Sequence, residues 1–473
     1  MKLKYVLIAF VALILAACGG SADADANDIQ HQPQEAAAYS EYGNGYEEPD
    51  ESAIRLQRWI ADVEQFEAHI IRWHPRFAHR AINQRDENLE IRRQFDAGVA
   101  ALLADLQTTG GGGLTDFEIK VEMQRIIALL RDNHFFFTGF AGYHANMRLV
   151  RFPLNFAYFS GENAGVYLIQ AREDFAHALN SRVVAIGGVP IDEIFIEFQR
   201  FWSVENVYDA RYQFATLLNA AIILQAIGVS NGASATYTFE NGVEITVSEA
   251  NIWERNMTNL RWFPSVPLVD ARAEGDEPVF RRNFRQNLWH EFLPEYGILF
   301  VGIRGWVTDV QGAFARAVQN TFDSNDVQAV IIDARSNPGG DAMQFSELFA
   351  HMSRNLPDGR LFYFVNEGSN SGSLGMAFFM ENLGAVVVGQ PLAQHPDFYW
   401  FGSGVSRVLL NYSRIELTPP PTFFSALQFY GREPYDSIFR PHVLIDYTID
   451  DWINNHDPLF DFVVEQMSAD NGD

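Results

Sequence analysis

The stretch from Ala329 to Gln390 constrains this chain more than any other. Ala329–Asp333 is an apolar run that predicts a buried strand, Ala334–Gly340 predicts a glycine turn, and Asp341–Asn355 predicts a helix. The order then repeats: strand Leu361–Asn366, Ser/Gly turn Gly368–Ser373, helix Leu374–Leu383, strand Ala385–Gly389. Consecutive strand–turn–helix units predict a parallel sheet with both glycine-rich turns at its C-terminal edge. In open α/β sheets ligands bind at that edge.

The chain around this stretch divides by pattern. Residues 1–17 carry two lysines and an apolar run that ends in small residues, which is a secretory signal too short to span a bilayer. Leu15-Ala16-Ala17-Cys18 resembles the bacterial lipobox, which implies cleavage before Cys18, lipidation of its thiol and a membrane-anchored, extracytoplasmic lipoprotein. Residues 18–51 read as a flexible acidic tether. Residues 52–131 read as a helical domain, with Ile54, Trp59, Val63, Phe66 and Ile70 at helical spacing and a second helix over Asn88–Leu106. Thr115-Asp116 ahead of Phe117-Glu118 opens a third helix, running to about Arg131. Residues 132–255 hold strand signals over Phe135–Phe137, Phe156–Phe159 and Val166–Ile169, a helical run over Ala210–Ile227, and a hairpin about Glu240-Asn241-Gly242. Within them, Arg182–Glu193 (RVVAIGGVPIDE) resembles the carboxylate-binding loop of a PDZ-like module. Residues 251–286 read as irregular, Tyr296–Ile303 as a strand and Ala313–Phe322 as a helix. Val405–Leu410 and Arg414–Leu417 read as a late hairpin. The fold class is therefore α+β with an α/β C-terminal part, in several domains.

Composition excludes some functions. A net charge of -26 argues against a nucleic-acid partner. The single cysteine excludes an intrachain disulfide and a cysteine metal cluster. His69, His74 and His79 fall five apart and so share no helix face as metal ligands would; they read as surface or capping residues. No metal and no cofactor are expected. Gly228-Val229-Ser230-Asn231-Gly232 has the form of a nucleophile elbow, but a helix precedes it and a strand follows, the reverse of what the elbow needs.

The chemistry concentrates in the two turns. Gly339 and Gly340 end the first, where backbone N–H groups at a helix start suit a developing negative charge. Asp333 and Arg335 are placed to brace it. The second turn offers Ser369, Ser371 and Ser373 ahead of a helix.

Together these motifs resemble the C-terminal processing (tail-specific) serine peptidases and their tricorn-like relatives. IIDARSNPGG matches the family's first motif at Asp333, Arg335, Asn337, Gly339 and Gly340, and Val386–Gln390 resembles a later one with glutamine in place of its glutamate. The resemblance implies a crotonase/ClpP-like α/β serine peptidase domain over 256–473, with Ser371 as nucleophile and Gly339 and Gly340 as the oxyanion hole. It covers most of the chain after Ser52. Leu374 stands where the second motif has a glutamate.

The family's usual base is a lysine after the serine. Here Lys2, Lys4 and Lys120 are the only lysines, so that dyad is impossible. The tricorn-like branch uses a histidine in a D-x-H stretch, which places the base at His134 of Asp132-Asn133-His134. Asp436, Glu433 and Asp341 are candidates to orient it, although Arg440-Pro441-His442 replaces the family's E-P-D. The expected function is peptide hydrolysis on protein or peptide substrates by a lipid-anchored serine peptidase. The alternatives are a catalytically degenerate relative that binds peptides or envelope partners, and an acyl hydrolase of non-peptide esters.

Overall fold

The computed structural model describes residues 51–470 except 81, 109–112, 138–149, 249–250, 256–261, 265–266, 284, 398, 401–407, 419–421, 424 and 426–437. The signal segment, Cys18, most of the tether, Glu433 and Asp436 lie outside the described residues.

Three long helices, Glu51–Trp73, Asp86–Thr108 and Asp116–Ala128, open the described chain. Trp59, Val63, Phe66 and Ile70 are fully buried against Phe95, Val99, Ile119 and Met123, because their spacing sets them on one face. Thr115 and Glu118 form a capping box that fixes the start of the third helix. His74 departs from expectation. It caps the short helix Pro75–Ala78 through Nδ1, which accepts from Arg76 N, but it is wholly buried rather than at the surface.

The middle region holds a hairpin, Leu154–Phe159 with Gly165–Ala171, and a four-stranded sheet. In that sheet Val183–Ile186 lies between Val189–Pro190 and Ala235–Phe239, and Glu244–Val247 forms the far edge. Gly187 and Gly188 take φ of 59° and 79°, the left-handed region that glycine enters without steric cost. Helices Ile191–Phe201, Val207–Leu217 and Ala221–Ala226 pack beside it, so the expected helical run is broken in two. One apolar cluster runs without interruption from Trp59 through Phe201 to Val247 and takes in Leu410 and Leu417. Asn251–Arg255 and Trp262–Pro264 pair as antiparallel strands, where the charge-rich sequence had read as irregular.

The C-terminal part is a six-stranded sheet in the order Leu288–Leu293, Ile298–Ile303, Ala329–Asp333, Leu361–Val365, Val386–Gly389, Val443–Leu444. The first strand is antiparallel to the second, and every other pair is parallel. Strands covered on both faces need apolar residues at every position rather than alternation, and Ala329–Asp333 and Leu361–Val365 are buried throughout. Leu299, Val301, Val330 and Ile332 point to the face packed by helices Ala313–Ser324, Ser346–Asn355 and Gly372–Asn382. Phe300, Ile331, Phe362 and Phe364 point to the other, covered by helix Pro458–Asp470.

One helix start differs from expectation. After Gly340 the chain forms a 3₁₀ turn, Ala342–Phe345, and the α-helix begins only at Ser346. The segment 306–309 draws this turn away: Trp306 N donates to Gly339 O, Asp309 N to Gln344 Oε1, and Gln344 Nε2 to Val307 O. The first glycine turn therefore does not open an α-helix, and the helix N-terminus at this edge belongs to the second turn.

Candidate active site

Both glycine turns lie at the C-terminal edge of the parallel strands, stitched to each other. Asn366 Oδ1 accepts from Ser336 N at 2.6 Å and Gly368 N at 3.0 Å, and Asn370 N donates to Asn337 O at 3.0 Å. Asn337 Nδ2 reaches back to Ile303 O on the neighbouring strand, 3.0 Å away. Beneath the first turn Arg335 forms paired hydrogen bonds with Asp333 at 2.8–3.0 Å and with Asp457 at 2.9 Å. Burial opposes the charge on Asp333, but the Arg335 and Arg304 guanidiniums outweigh it and hold the carboxyl below its ordinary range. Asp333 and Arg335 brace the turn from inside and do not face a ligand.

The three serines separate by their partners. Ser369 is fully buried; its Oγ donates to Ala334 O and accepts from Asn366 N. Ser373 is fully buried too, accepting from Trp306 Nε1 and donating to Asn337 O. Ser371 is half-buried, and among the described residues its Oγ has no hydrogen bond. It sits at φ 52°, ψ −115°, immediately before helix Gly372–Asn382. A non-glycine residue held at positive φ between a strand and a helix is strained and presents its side chain at the tip of the turn.

The first turn presses against this serine. A Cβ on Gly339 would lie 2.5 Å from Ser371 Cβ, and one on Gly372 would lie 3.2 Å from Gly340 N. Only glycines permit that approach, and it packs the Gly340 backbone against Gly372, where a Cβ would strike Gly340 O. Gly339 itself cannot serve as an anion donor here, because its N–H is engaged by Asn337 Oδ1 at 2.9 Å. Gly372, the first residue of a helix, has an N–H with no partner inside that helix.

His134 reaches the site from the other end of the chain. The strand after it, Phe136–Phe137, pairs with Glu416–Thr418, which pairs in turn with Val408–Leu409. Gln394, wholly buried in the coil after strand Val386–Gly389, joins histidine to serine. Its Oε1 accepts from Ser371 N, and its Nε2 lies 3.3 Å from His134 Nδ1. Ser371 and His134 thus flank a single carboxamide.

Carboxylates surround the imidazole. Glu205 Oε1 lies 3.8 Å and Asp132 Oδ1 3.9 Å from Nδ1, and Asp132 also accepts from His134 N at 2.9 Å. His74 Nε2 stands 3.2 Å from the other oxygen of Asp132. Burial disfavours the imidazolium, yet Glu205, Asp132 and Asp209 outweigh it and raise the His134 pKa. Asp209 is pushed up to about 7 by its own burial and by Glu205. Asp341, a sequence candidate to orient the base, makes no contact with His134 among the described residues; it neighbours Gln344 instead. Gln390, in the family's glutamate position, donates to Ser160 Oγ at 2.8 Å. Gln394 and Glu205 carried no signal in the sequence: each is a lone polar residue in coil.

No family model and no curated protein sequence matches this chain. Solved structures do. The chain is similar to mature CPAF complexed with lactacystin, 11% identical with a TM-score of 0.56, over 89% of this chain and 100% of that one. A CPAF serine-to-alanine mutant matches at 12% identity and a TM-score of 0.55, over 88% of this chain and 96% of that one. A photosystem II D1 C-terminal processing protease matches at 12% identity and a TM-score of 0.37, over 82% of this chain and 93% of that one. The likeness to CPAF is one of fold.

Proposed function

We propose that this chain is a serine peptidase of the C-terminal processing type, in the Ser/His branch, with Ser371 as nucleophile and His134 as base. The Gln394 carboxamide carries the reading, because it bonds the backbone of a strained serine on one side and borders a buried histidine on the other, 237 residues apart in sequence. With Gln394, Glu205 and Asp132 all beside Nδ1, proton transfer falls to Nε2. That role needs the imidazole proton on Nδ1 with Glu205 as its acceptor, so the Gln394 amide nitrogen, itself a donor 3.3 Å from Nδ1, must move off that atom. The present 3.8 Å separation must close by about 1 Å, a tightening common when substrate binds.

The steps then follow. Ser371 Oγ attacks the peptide carbonyl carbon as His134 Nε2 takes the hydroxyl proton. The carbonyl oxygen gains the charge and accepts from the Gly340 and Gly372 N–H groups, which are fixed before the reaction. The imidazolium gives its proton to the leaving nitrogen, the C–N bond breaks, and an acyl-serine remains. Water then attacks the acyl carbon, losing a proton to His134 Nε2, which returns it to Ser371 Oγ as the acid leaves. Ser371→Ala and His134→Ala should each lower hydrolysis of an unfolded protein by about a thousandfold or more. Unchanged rates in both would exclude this assignment.

The Leu15-Ala16-Ala17-Cys18 sequence supports a lipid-anchored, extracytoplasmic placement. Cys18→Ala should move the protein out of the membrane fraction in its native host; retention there would contradict lipidation at this cysteine.

A further inference from the structure

Three buried carboxylates, Asp132, Glu205 and Asp209, gather at His134. Asp132 and Asp209 are 0% exposed, and among the described residues none of the three pairs with lysine or arginine. Their basic neighbours are the imidazoles of His134 and His74, and burial holds the His74 pKa below its ordinary value. A buried carboxylate without a full counter-charge is costly unless something neutralises it. Two oxygens at the same spot, Asn133 Oδ1 and Asp209 Oδ1, lack a hydrogen-bond donor among the described residues, while Asp132 Oδ2 faces His74 Nε2 at 3.2 Å. The other Asp209 oxygen accepts from Asn133 Nδ2 at 3.1 Å and Glu205 N at 3.0 Å, so this carboxylate is wedged between the two segments that supply the cluster.

One atom each from Asp132, His134 and Glu205 lies within 4.8 Å of the others. From His134 Nδ1 the carboxylate oxygens stand 3.8 and 3.9 Å away. Tetrahedral zinc, with bonds of about 2.0–2.2 Å, sets its ligand atoms about 3.4 Å apart, so each carboxylate must draw about 0.5 Å closer to Nδ1 and the two carboxylate oxygens, within 4.8 Å of each other, must converge as well. Glu205 also lines a cavity of about 380 Å³ between the helical layer and helix Ile191–Phe201, beside Gln94, Arg131 and Gln199.

We propose that Asp132, His134 Nδ1 and Glu205 hold one divalent first-row cation, Zn²⁺ in type, with Asp209 behind them, and that the ion switches the catalytic base off. One imidazole with carboxylates suits zinc better than the harder magnesium or calcium. A neutral imidazole ligated at Nδ1 carries its hydrogen on Nε2 and cannot accept the Ser371 proton there. Gln394 Nε2 must turn aside for the ion to enter. The inhibitory half rests on the peptidase reading above; the binding half does not.

The test uses the full chain stripped of metal by a chelator. Zn²⁺ is titrated calorimetrically and Co²⁺ by visible absorption. One ion per chain is expected, equally in wild type and Ser371→Ala, with Co²⁺ bands typical of low coordination. Glu205→Gln keeps the side-chain shape and should weaken binding by about a hundredfold or more, since even outer-shell losses cost roughly ten- to a hundredfold. X-ray absorption of the zinc-loaded wild type needs no variant and should show one imidazole among oxygens. No binding, binding indifferent to Glu205→Gln, or an all-oxygen shell overturns the site, the last marking stray ions on an acidic surface. If the stripped chain hydrolyses peptide, stoichiometric Zn²⁺ should stop it and chelator restore it; hydrolysis indifferent to Zn²⁺ overturns the switch. A stripped chain that binds the ion but hydrolyses nothing supports the site and counts against the peptidase reading alone.

Discussion

Three serines crowd one turn, and their hydrogen bonds give them different work. Ser373 satisfies the indole of Trp306, so Ser373→Ala should lower stability by about 1–3 kcal/mol through an orphaned buried N–H, read by urea denaturation. Ser371→Ala removes no hydrogen bond of its Oγ and should leave stability nearly unchanged while hydrolysis is lost. At His134 the sign of the pH effect is fixed by its neighbours. Gln394, Glu205, Asp132 and Asp209 face the ring, and the carboxylates outweigh burial to raise its pKa above 6.5. The proton that His134 binds on folding stabilises the fold fully below that ordinary value, and this contribution fades as pH rises through the raised pKa. Catalysis has the opposite sense, because only neutral imidazole is a base. With chelator present, kcat/KM should fall as pH drops through a midpoint above about 6.5, and Glu205→Gln should move that midpoint down. The D-x-H stretch marks the histidine and Asp132 together, whereas Glu205 and Gln394 left no mark in the sequence. Glu205 and Gln394 stand in coil without periodicity, and tertiary packing alone brings them to the ring.

At the scale of elements, the turns depend on backbone contact. Gly339 has φ 111° and no room for a methyl group against Ser371, so Gly339→Ala should cost several kcal/mol or prevent folding, as circular dichroism and expression would show. Arg335 joins Asp333 on the central strand to Asp457 ahead of the last helix. Arg335→Gln strands two buried carboxylates and should destabilise by about 3–5 kcal/mol, measured by denaturant titration. The four middle strands of this sheet were legible because burial on both faces leaves an unbroken apolar run, whereas the edge strands Leu288–Leu293 and Val443–Leu444, only partly buried, were not. The helix after Gly340 was misplaced because Gln344 and Asp309, which tighten its first turn, bond across segments that no local pattern links. The strand Asn251–Arg255 was missed because its charged residues mask the alternation that a strand usually shows.

Across the whole molecule, the helical layer, the middle sheet and the late hairpin share one apolar cluster, and that packing delivers His134 to a site built about 237 residues later. Helix Val207–Leu217 meets the second glycine turn directly: a Cβ on Gly368 would strike the Tyr212 ring. Beside that contact Glu367 is buried and pushed up to about 8, first by desolvation, with Arg211 opposing and Asp446 adding. A carboxyl with a raised pKa loses stability as pH rises from about 4.5 to about 8, and Glu367→Gln should flatten that fall in unfolding measurements across the range. The central claim is the union of a strained serine with a distant histidine. Fluorophosphonate labelling followed by peptide mapping tests it most directly. A single adduct on Ser371, absent from His134→Ala, is the expected result; no adduct, an adduct on another serine, or labelling that survives His134→Ala would contradict it.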